Sequence, residues 1–260
     1  MFQLAVCAEM LYTEMPFLER VERLNAEGFQ IEFWDWTKQD LSQLANTGAV
    51  FSNMSGYLKG NLTEDEGISQ MLTSAEESLR AAEIIDVARL NLHGTGIDAV
   101  GLPFSPRTSI NGRDWLRAAK TLERLACLAG KYDRVFTLEN LNTKITHPGV
   151  PFSRVVDVLS LVEAVDNPNL RINLDFYHAQ VDEGNLLELA ERALPWIGEF
   201  QVSDAPGRHE PGTGEINYPN IAKALANWGY TGVIALEGTP LRDTSSALAA
   251  FRSAFTISEK

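Results

Sequence analysis

The sequence predicts an α/β protein built as a single (β/α)8 barrel, one domain over residues 1–260. Short apolar runs alternate with longer amphipathic segments along the whole chain, which is the pattern of parallel strands joined by helices. The alternation repeats eight times at a spacing of roughly 30 residues, within the usual length of such a barrel. No Pro- or Ser-rich linker divides the chain, so we expect no second domain.

The eight predicted strands are short runs rich in apolar residues. In chain order they lie at residues 2–8, 29–36, 49–56, 87–95, 134–142, 170–179, 198–205 and 231–238. The sixth run, LRINLDFYHA, begins with five residues typical of a buried strand and then becomes polar at Asp175 and His178. In a barrel, the ends of the strands meet on one face, where active sites lie. We therefore expect these polar groups to face that opening.

Each predicted strand is followed by a segment with apolar residues at helical spacing. These helices are predicted at residues 16–28, 40–48, 69–86, 112–132, 153–167, 185–194, 218–229 and 245–256. Pro16 in the first turn and Gly28 at the end are start and stop signals of the first helix. A doubly wound open sheet is the competing fold, but it usually has fewer units at this length. No G-x-G-x-x-G follows the first strand, so a dinucleotide site is not indicated.

Composition excludes several classes of function. The formal net charge of −13 disfavours nucleic-acid binding through a basic face. The first residues lack the features of a signal peptide, and no apolar run approaches the ~20 residues that cross a bilayer. We therefore expect a cytoplasmic protein with no membrane partner. Cys7 and Cys127 lie in apolar patterns and are expected to be buried and reduced.

Oxygen-bearing side chains stand at the ends of the last four predicted strands, about one barrel unit apart. They are Glu139, Asp175, Gln201 and Glu237. A single such residue is more often solvated or caps a helix, but four in register would converge on one point. Burying three carboxylates together is unfavourable unless a cation neutralises them or protons are retained. An all-oxygen set suits Mg²⁺ or Mn²⁺ better than zinc.

Histidines are the next candidates. His178 follows the end of the sixth strand and could bind a substrate hydroxyl or carbonyl, or it could be a loop residue satisfied by backbone. His93 ends the fourth strand and is expected to line the same opening. His147 is expected to be an ordinary loop histidine.

Two other residue types could contact a substrate. Arg208, in the loop after the seventh strand, could clamp a carboxylate or form a surface ion pair with Glu210 or Glu215. Trp34 and Trp36 end the second predicted strand. Aromatic residues there are more often packing, but Trp34 could form an apolar wall over a small substrate.

Such a site predicts proton-transfer chemistry on a hydroxy-carbonyl compound. A metal bound to adjacent carbonyl and hydroxyl oxygens acidifies the neighbouring C–H. One glutamate can then remove that proton to give an enediolate. Returning the proton to the adjacent carbon isomerises the compound, and returning it to the opposite face epimerises it. Glu139 and Glu237 come from strands three apart, so they could act from different sides.

The chain resembles a known enzyme family. The segments LENLNT, NLDFYHAQVDEGNL, GRHEPGTGEINYP and GYTGVIALEG, with MLYTEMPFLER near the start, are similar to hydroxypyruvate isomerases. These enzymes belong to the xylose isomerase-like (β/α)8 superfamily, which includes ketose 3-epimerases. The likeness covers nearly the whole chain. It implies that Glu139 and Glu237 are the acid/base pair and that Arg208 and His178 contact substrate.

The resemblance also implies a divalent metal held by the four residues at the last strand ends. Epimerases usually have histidine where Gln201 stands, so Gln201 favours the hydroxypyruvate isomerase side. Relatives include metal-independent enzymes, so the metal need not be strictly required. Glu9 departs from the family pattern, since relatives have a smaller or amide side chain there. An acid near the mouth would disfavour an anionic substrate.

The expected function is isomerisation of hydroxypyruvate to tartronate semialdehyde. The alternatives are a ketose 3-epimerase, or an isomerase of a larger sugar acid of the 2-oxo-tetronate type. A three-zinc endonuclease for abasic DNA is disfavoured by only four histidines and by the net charge. A sugar-binding protein without turnover is the non-enzyme alternative. The sequence leaves the oligomeric state open, including a homo-oligomer.

Overall fold

A computed structural model describes residues 1–98 and 100–257. Eight parallel strands close into a barrel in which each strand pairs with the next and the last pairs with the first. They are β1 (Gln3–Cys7), β2 (Gln30–Phe33), β3 (Phe51–Ser55), β4 (Arg89–Leu92), β5 (Val135–Glu139), β6 (Leu170–Asp175), β7 (Ile197–Val202) and β8 (Val233–Leu236). The predicted (β/α)8 fold is confirmed. The domain boundaries at residues 1 and 260 stay a prediction.

Helices follow the strands and surround the barrel. They are α1 (Phe17–Ala26), α2 (Leu41–Asn46), α3 (Asp65–Ile85), α4 (Gly112–Lys131), α5 (Val155–Val165), α6 (Phe176–Asp182), α7 (Leu186–Ala193), α8 (Tyr218–Asn227) and α9 (Thr244–Ala254). Short 3-10 turns lie at Trp36–Lys38 and Leu194–Trp196. In the parts of the chain described above, no helix is both long and apolar enough to cross a membrane.

All eight predicted strands extend past the observed strands at one or both ends, and in two of them a helical turn explains the difference. The sixth ends at Asp175, not at residue 179, because the Asp175 side chain accepts a hydrogen bond from the backbone N–H of His178 at 3.0 Å and starts α6. Aspartate is a favoured residue at a helix start. The second ends at Phe33, since Asp35 caps the 3-10 turn in the same way. In both places an aromatic run looked like continued strand.

Strand alternation divides each strand between two environments. In β5, Phe136 and Leu138 are buried against the surrounding helices, whereas Thr137 and Glu139 lie on the opposite face, inside the barrel. The interior is hydrogen-bonded across: the amide of Asn53 lies 3.4 Å from the Thr137 hydroxyl. The main apolar core therefore lies between strands and helices, and the inside of the barrel is mostly polar apart from a small cluster of Ala5, Val233 and Ala235.

The prediction for the cysteines is half right. Both thiols are free, and Cys7 is buried in β1, but Cys127 is exposed. The core-facing stripe of α4 consists of residues such as Leu122, Leu125 and Ala126. Cys127 follows Ala126 by about 100° around the helix, which turns it away from the core.

Candidate active site

The structure places the four residues at the strand ends on one face of the barrel. Glu139 and Asp175 are the last residues of β5 and β6, and Glu237 directly follows β8. Gln201 lies beside Asp175 in the register of β6 and β7. All four side chains are buried. The barrel thus brings three carboxylates and one amide together.

The nearest groups in this cluster include a histidine. Ligand-type atoms of Glu139, Asp175 and His178 lie within 4.8 Å of one another. Nε2 of His178 is 3.6 Å from Oδ2 of Asp175 and 3.9 Å from Oε1 of Glu139. From distance alone, His178 could be a metal ligand or a hydrogen-bond donor.

Asn142 decides between these roles. Its Oδ1 accepts the backbone N–H groups of Ile145 and Thr146, both at 3.0 Å, so its NH₂ group faces Nδ1 of His178 at 2.7 Å. Nδ1 is therefore an acceptor, and the proton of the neutral ring is on Nε2. Burial lowers the pKa of His178, which favours the neutral ring. His178 thus offers an N–H, rather than a lone pair, to the cluster.

Gln201 has a similar support. Its Nε2 donates to Oε2 of Glu32 at 3.1 Å, deeper inside the barrel. This contact turns Oε1 of Gln201 the other way, where that oxygen is buried without a hydrogen-bond partner. Oδ2 of Asp175 is a second buried acceptor without a partner. Unpaired buried acceptors are costly and are often explained by an ion or water.

Glu237 is held from two sides. Nε1 of Trp34 donates to one carboxylate oxygen at 2.8 Å, and Nη2 of Arg208 donates to the other at 2.8 Å. The same Nη2 lies 3.8 Å from Asp175. Arg208 therefore forms its ion pair inside the site, and not with Glu210 or Glu215.

The loop that carries Arg208 is organised by a buried carboxylate. Asp204 accepts hydrogen bonds from the backbone N–H groups of Ala205, Gly212 and Ile216 at 2.8–3.0 Å. Its carbonyl also accepts the N–H of Arg208 at 2.9 Å. Arg208 has a φ of 58°, in the left-handed region that costs a non-glycine residue energy. The loop fixes this conformation and so aims the guanidinium inward.

Glu139 has a separate set of neighbours. Oε2 accepts from the Asn91 amide and lies 2.9 Å from Nε2 of His93. The Tyr57 hydroxyl donates to the carbonyl of Thr95 at 2.6 Å, which leaves its lone pair facing Nδ1 of His93 at 3.2 Å. His93 thus contacts the Glu139 carboxyl directly, so sequence reasoning placed it at the right opening.

Burial dominates the electrostatics of the site. It raises the pKa of Glu139, and the neighbouring Glu237 charge raises it further. It also raises the pKa of Asp175, against the opposing effect of Arg208. Burial lowers the pKa of His93 to about 4. Although burial would lower the pKa of Arg208, the adjacent carboxylates raise it, so the guanidinium stays charged.

Glu139, Glu237, His93 and Arg208 line a cavity of about 730 Å³, and Asp175 is buried beside it. Trp34 lines the cavity, whereas Trp36 donates to the Ser78 hydroxyl at 3.0 Å and packs against the core. His147, expected to be an ordinary loop residue, also lines the cavity, and its ring meets that of His178 edge-on at 5.2 Å. Sequence reasoning missed His147 and Asn142, although Asn142 lies in the LENLNT segment.

Glu139, Asp175, Gln201 and Glu237 are the predicted ligands of a divalent metal. Their donor atoms are oxygens, and two of these, on Asp175 and Gln201, are buried and unpaired. Mg²⁺ and Mn²⁺ prefer such ligands. A cation would also offset the charge of the carboxylates. Glu139, Asp175 and Gln201 therefore fit such an ion. Glu237 is not among the ligand-type atoms that lie within 4.8 Å of one another, and it would have to exchange its contact with Trp34 or Arg208 to become a ligand.

Comparisons with known proteins agree with this picture. The family described as "Xylose isomerase-like TIM barrel" matches residues 18–254. The chain is 28% identical to a 2-oxo-tetronate isomerase of Pectobacterium atrosepticum over 248 residues, 92% of each protein. It is also 28% identical to the hydroxypyruvate isomerase of Escherichia coli over 254 residues, 95% of this chain and 97% of that one.

A solved structure has the same fold. The crystal structure titled AP endonuclease, family 2, from Brucella melitensis superimposes with a TM-score of 0.84. The match covers 97% of this chain and 99% of that one, at 24% sequence identity. At this identity the likeness concerns the fold alone.

Proposed function

Because the chain belongs to the xylose isomerase-like TIM barrel family and is an isomerase of sugars or hydroxy acids, we propose that its substrate is a small 2-oxo hydroxy acid. The reaction is the conversion of hydroxypyruvate to tartronate semialdehyde, or the same conversion of a 2-oxo-tetronate. Both substrates carry a carboxylate, a carbonyl at C2 and a hydroxyl at C3. In both, the carbonyl moves from C2 to C3.

The observation that carries this proposal is the pairing of Glu139 and Glu237. Both carboxyl groups line one cavity, and each is held by its own donors: Asn91 for Glu139, and Trp34 and Arg208 for Glu237. Two separately supported carboxyl groups can remove a proton from one carbon and return one to the next. A binding protein would not need both.

The residues of the chain supply most of the steps. One glutamate takes the proton from C3 to give an enediolate, and the other delivers a proton to C2, while the hydroxyl proton passes from O3 to O2. The His178 N–H is aimed at the cluster and donates to a substrate oxygen as negative charge develops. Arg208 lies beside Glu237 in the cavity wall and pairs with the substrate carboxylate.

A divalent cation bound by Glu139, Asp175, Gln201 and Glu237 would polarise the substrate carbonyl and lower the pKa of the adjacent C–H. Mg²⁺ or Mn²⁺ suits this set better than Zn²⁺. The cation adds to the paired glutamates and need not be strictly required, because proton removal and return are both assigned to carboxyl groups of the chain.

The proposal is tested by incubating the purified protein with hydroxypyruvate, 2-oxo-tetronate and a panel of ketoses, with Mg²⁺ or Mn²⁺, and following products by NMR. We expect migration of the carbonyl in the 2-oxo acids. Glu139→Gln and Glu237→Gln should each lower kcat by about 10²- to 10⁴-fold, the usual loss of a general acid or base. Glu14→Gln, at an exposed position, is the matched control.

Two results would contradict the proposal. Inversion at C3 of a ketose, with no carbonyl migration in the 2-oxo acids, would make the protein a ketose 3-epimerase. Absence of turnover with every compound, together with unchanged ligand binding in Glu237→Gln, would make it a binding protein.

A further inference from the structure

Glu9 is a cavity residue that the reaction above does not use. It follows β1, which pairs with β8 in a register that sets Val6 beside Leu236. Glu237 is the residue after Leu236, whereas Glu9 is three residues beyond Val6. Along the backbone Glu9 therefore lies two residues farther toward the mouth than the position beside Glu237, and its carboxyl group lines the cavity between Cys7 and Trp34.

The two oxygens of Glu9 have unequal partners. Oε1 accepts the backbone N–H of Trp34 at 2.8 Å. Oε2 is 3.6 Å from the thiol of Cys7, and a thiol is a weak donor. Oε2 thus keeps most of its hydrogen-bonding capacity, and it belongs to a residue of the cavity wall.

The charge around Glu9 limits what it can bind. Glu237 and Glu32 also line the cavity, and the cations Arg208 and Lys38 that line it are paired with Glu237 and Asp35. A second carboxylate beside Glu9 would therefore meet like charge. Burial raises the pKa of Glu9 to about 7, which lets the carboxyl group donate as well as accept. A hydroxyl group matches both properties, whereas an anionic group does not.

The size of the cavity points the same way. A volume of about 730 Å³ lies within the range of sites that enclose molecules much larger than a three-carbon acid. Hydroxypyruvate bound at the paired glutamates has no carbon beyond C3, and its only hydroxyl group takes part in the reaction. A substrate with a fourth carbon carries a hydroxyl group past the reacting carbons, toward the mouth.

We propose that Glu9 is a specificity-determining residue that binds a substrate hydroxyl group beyond the two reacting carbons. The inference rests on the proposed isomerase function and assigns a chain-length preference to it. It predicts that a 2-oxo-tetronate is a better substrate than hydroxypyruvate, because only the longer acid reaches Glu9.

A cycle of two enzymes and two substrates tests this. kcat/KM is measured for the wild type and Glu9→Ala with 2-oxo-tetronate and with its 4-deoxy analogue, 2-oxo-3-hydroxybutanoate. Removing the hydroxyl group should cost the wild type roughly 10- to 100-fold, the usual loss when a buried polar group is left unpaired. With 2-oxo-tetronate, Glu9→Ala should have a kcat/KM lower than that of the wild type by a similar factor. With the deoxy analogue, the two enzymes should have nearly the same kcat/KM. Hydroxypyruvate turnover should change less than about threefold.

Conservative and control variants guard against a folding effect. Glu9→Gln keeps one acceptor and one donor, so its preference for 2-oxo-tetronate over the deoxy analogue should lie between those of the wild type and Glu9→Ala. Glu14→Ala, exposed in the following loop, should behave as wild type. Equal losses on all three acids, or a deoxy penalty that persists in Glu9→Ala, would overturn the role of Glu9 and leave the isomerase function standing. A wild type that turns over none of the acids would overturn both.

Discussion

The side chain of Asn142 fixes which nitrogen of His178 carries the proton. Asn142 donates to Nδ1 at 2.7 Å, and its own oxygen is held by the backbone N–H groups of Ile145 and Thr146. The amide cannot reverse without losing both backbone contacts. His178 is thus kept as an N–H donor beside Asp175, although its distance alone would also allow it to bind a metal.

Asn142→Asp should reverse this arrangement. A carboxylate accepts only, so Nδ1 of His178 would carry the proton and Nε2 would present a lone pair. We expect kcat/KM to fall about 10- to 100-fold, because a donor aimed at the substrate oxygen is lost. ¹⁵N NMR of the imidazole should show the change of tautomer. Asn220→Asp, in the exposed first turn of α8, is the control. An unchanged tautomer with full activity would contradict this role of Asn142.

Glu32 should matter for metal binding although it lies below the ligands. It accepts from the Gln201 amide at 3.1 Å and so turns the oxygen of Gln201 away from itself, where that oxygen is buried without a hydrogen-bond partner. Glu32→Leu removes this acceptor, and we expect Mn²⁺ affinity measured by calorimetry to fall about 10- to 100-fold, as for other residues that orient a ligand. Glu32→Gln keeps an acceptor oxygen and should recover most of the affinity. Equal affinity in wild type and a folded Glu32→Leu would rule the orientation out.

The barrel was predictable from sequence because its signal repeats. Alternating apolar runs and helical segments report burial against the outer helices, as Phe136 and Leu138 do in β5. The pattern does not show where the polar residues between them lie, such as Thr137 and Glu139, because the polar face of a strand is usually exposed to solvent. Here that face is inside the barrel, so the interior network was not foreseen.

The site was predictable only in part, for the same reason. Strand ends converge in any barrel, so Glu139, Asp175, Gln201 and Glu237 could be grouped from spacing alone. The contacts that orient them could not, because they form only when the barrel closes: Glu32 and Gln201 are 169 residues apart in sequence. The lone acid in the apolar run QIEF was the available signal for Glu32.

Glu9 should give the stability of the protein a pH dependence. Burial raises its pKa from 4.5 to about 7 in the folded state, so unfolding releases a proton between these values. The contribution of Glu9 to the free energy of unfolding should therefore be largest below pH 4.5. It should be lost as the pH rises to 7, which lowers the free energy of unfolding by about 1–3 kcal/mol. Denaturant titrations of wild type and Glu9→Gln across this range test it. The difference between the two curves should change with pH; parallel curves would exclude a raised pKa.

Asp175→Asn should separate stability from metal binding. Asp175 is buried with Glu139 and Glu237, and burial with their charges raises its pKa, so its ionised form opposes folding. Asparagine can still accept the His178 N–H that starts α6, because it is as good a helix cap as aspartate. In EDTA we therefore expect Asp175→Asn to melt at or above the temperature of the wild type.

Added Mn²⁺ should reverse that order. A ligand that binds the folded state raises the melting temperature by an amount that grows with the logarithm of its concentration divided by Kd, so the wild type should gain several degrees at saturating Mn²⁺. Asp175→Asn lacks one of the three carboxylates and should gain little. Glu215→Gln, exposed in the loop after β7, should respond as the wild type does. If Mn²⁺ stabilises Asp175→Asn as much as the wild type, Asp175 is not a ligand. If Asp175→Asn melts at a much lower temperature than the wild type in EDTA, the carboxylate is held by contacts stronger than the repulsion from Glu139 and Glu237.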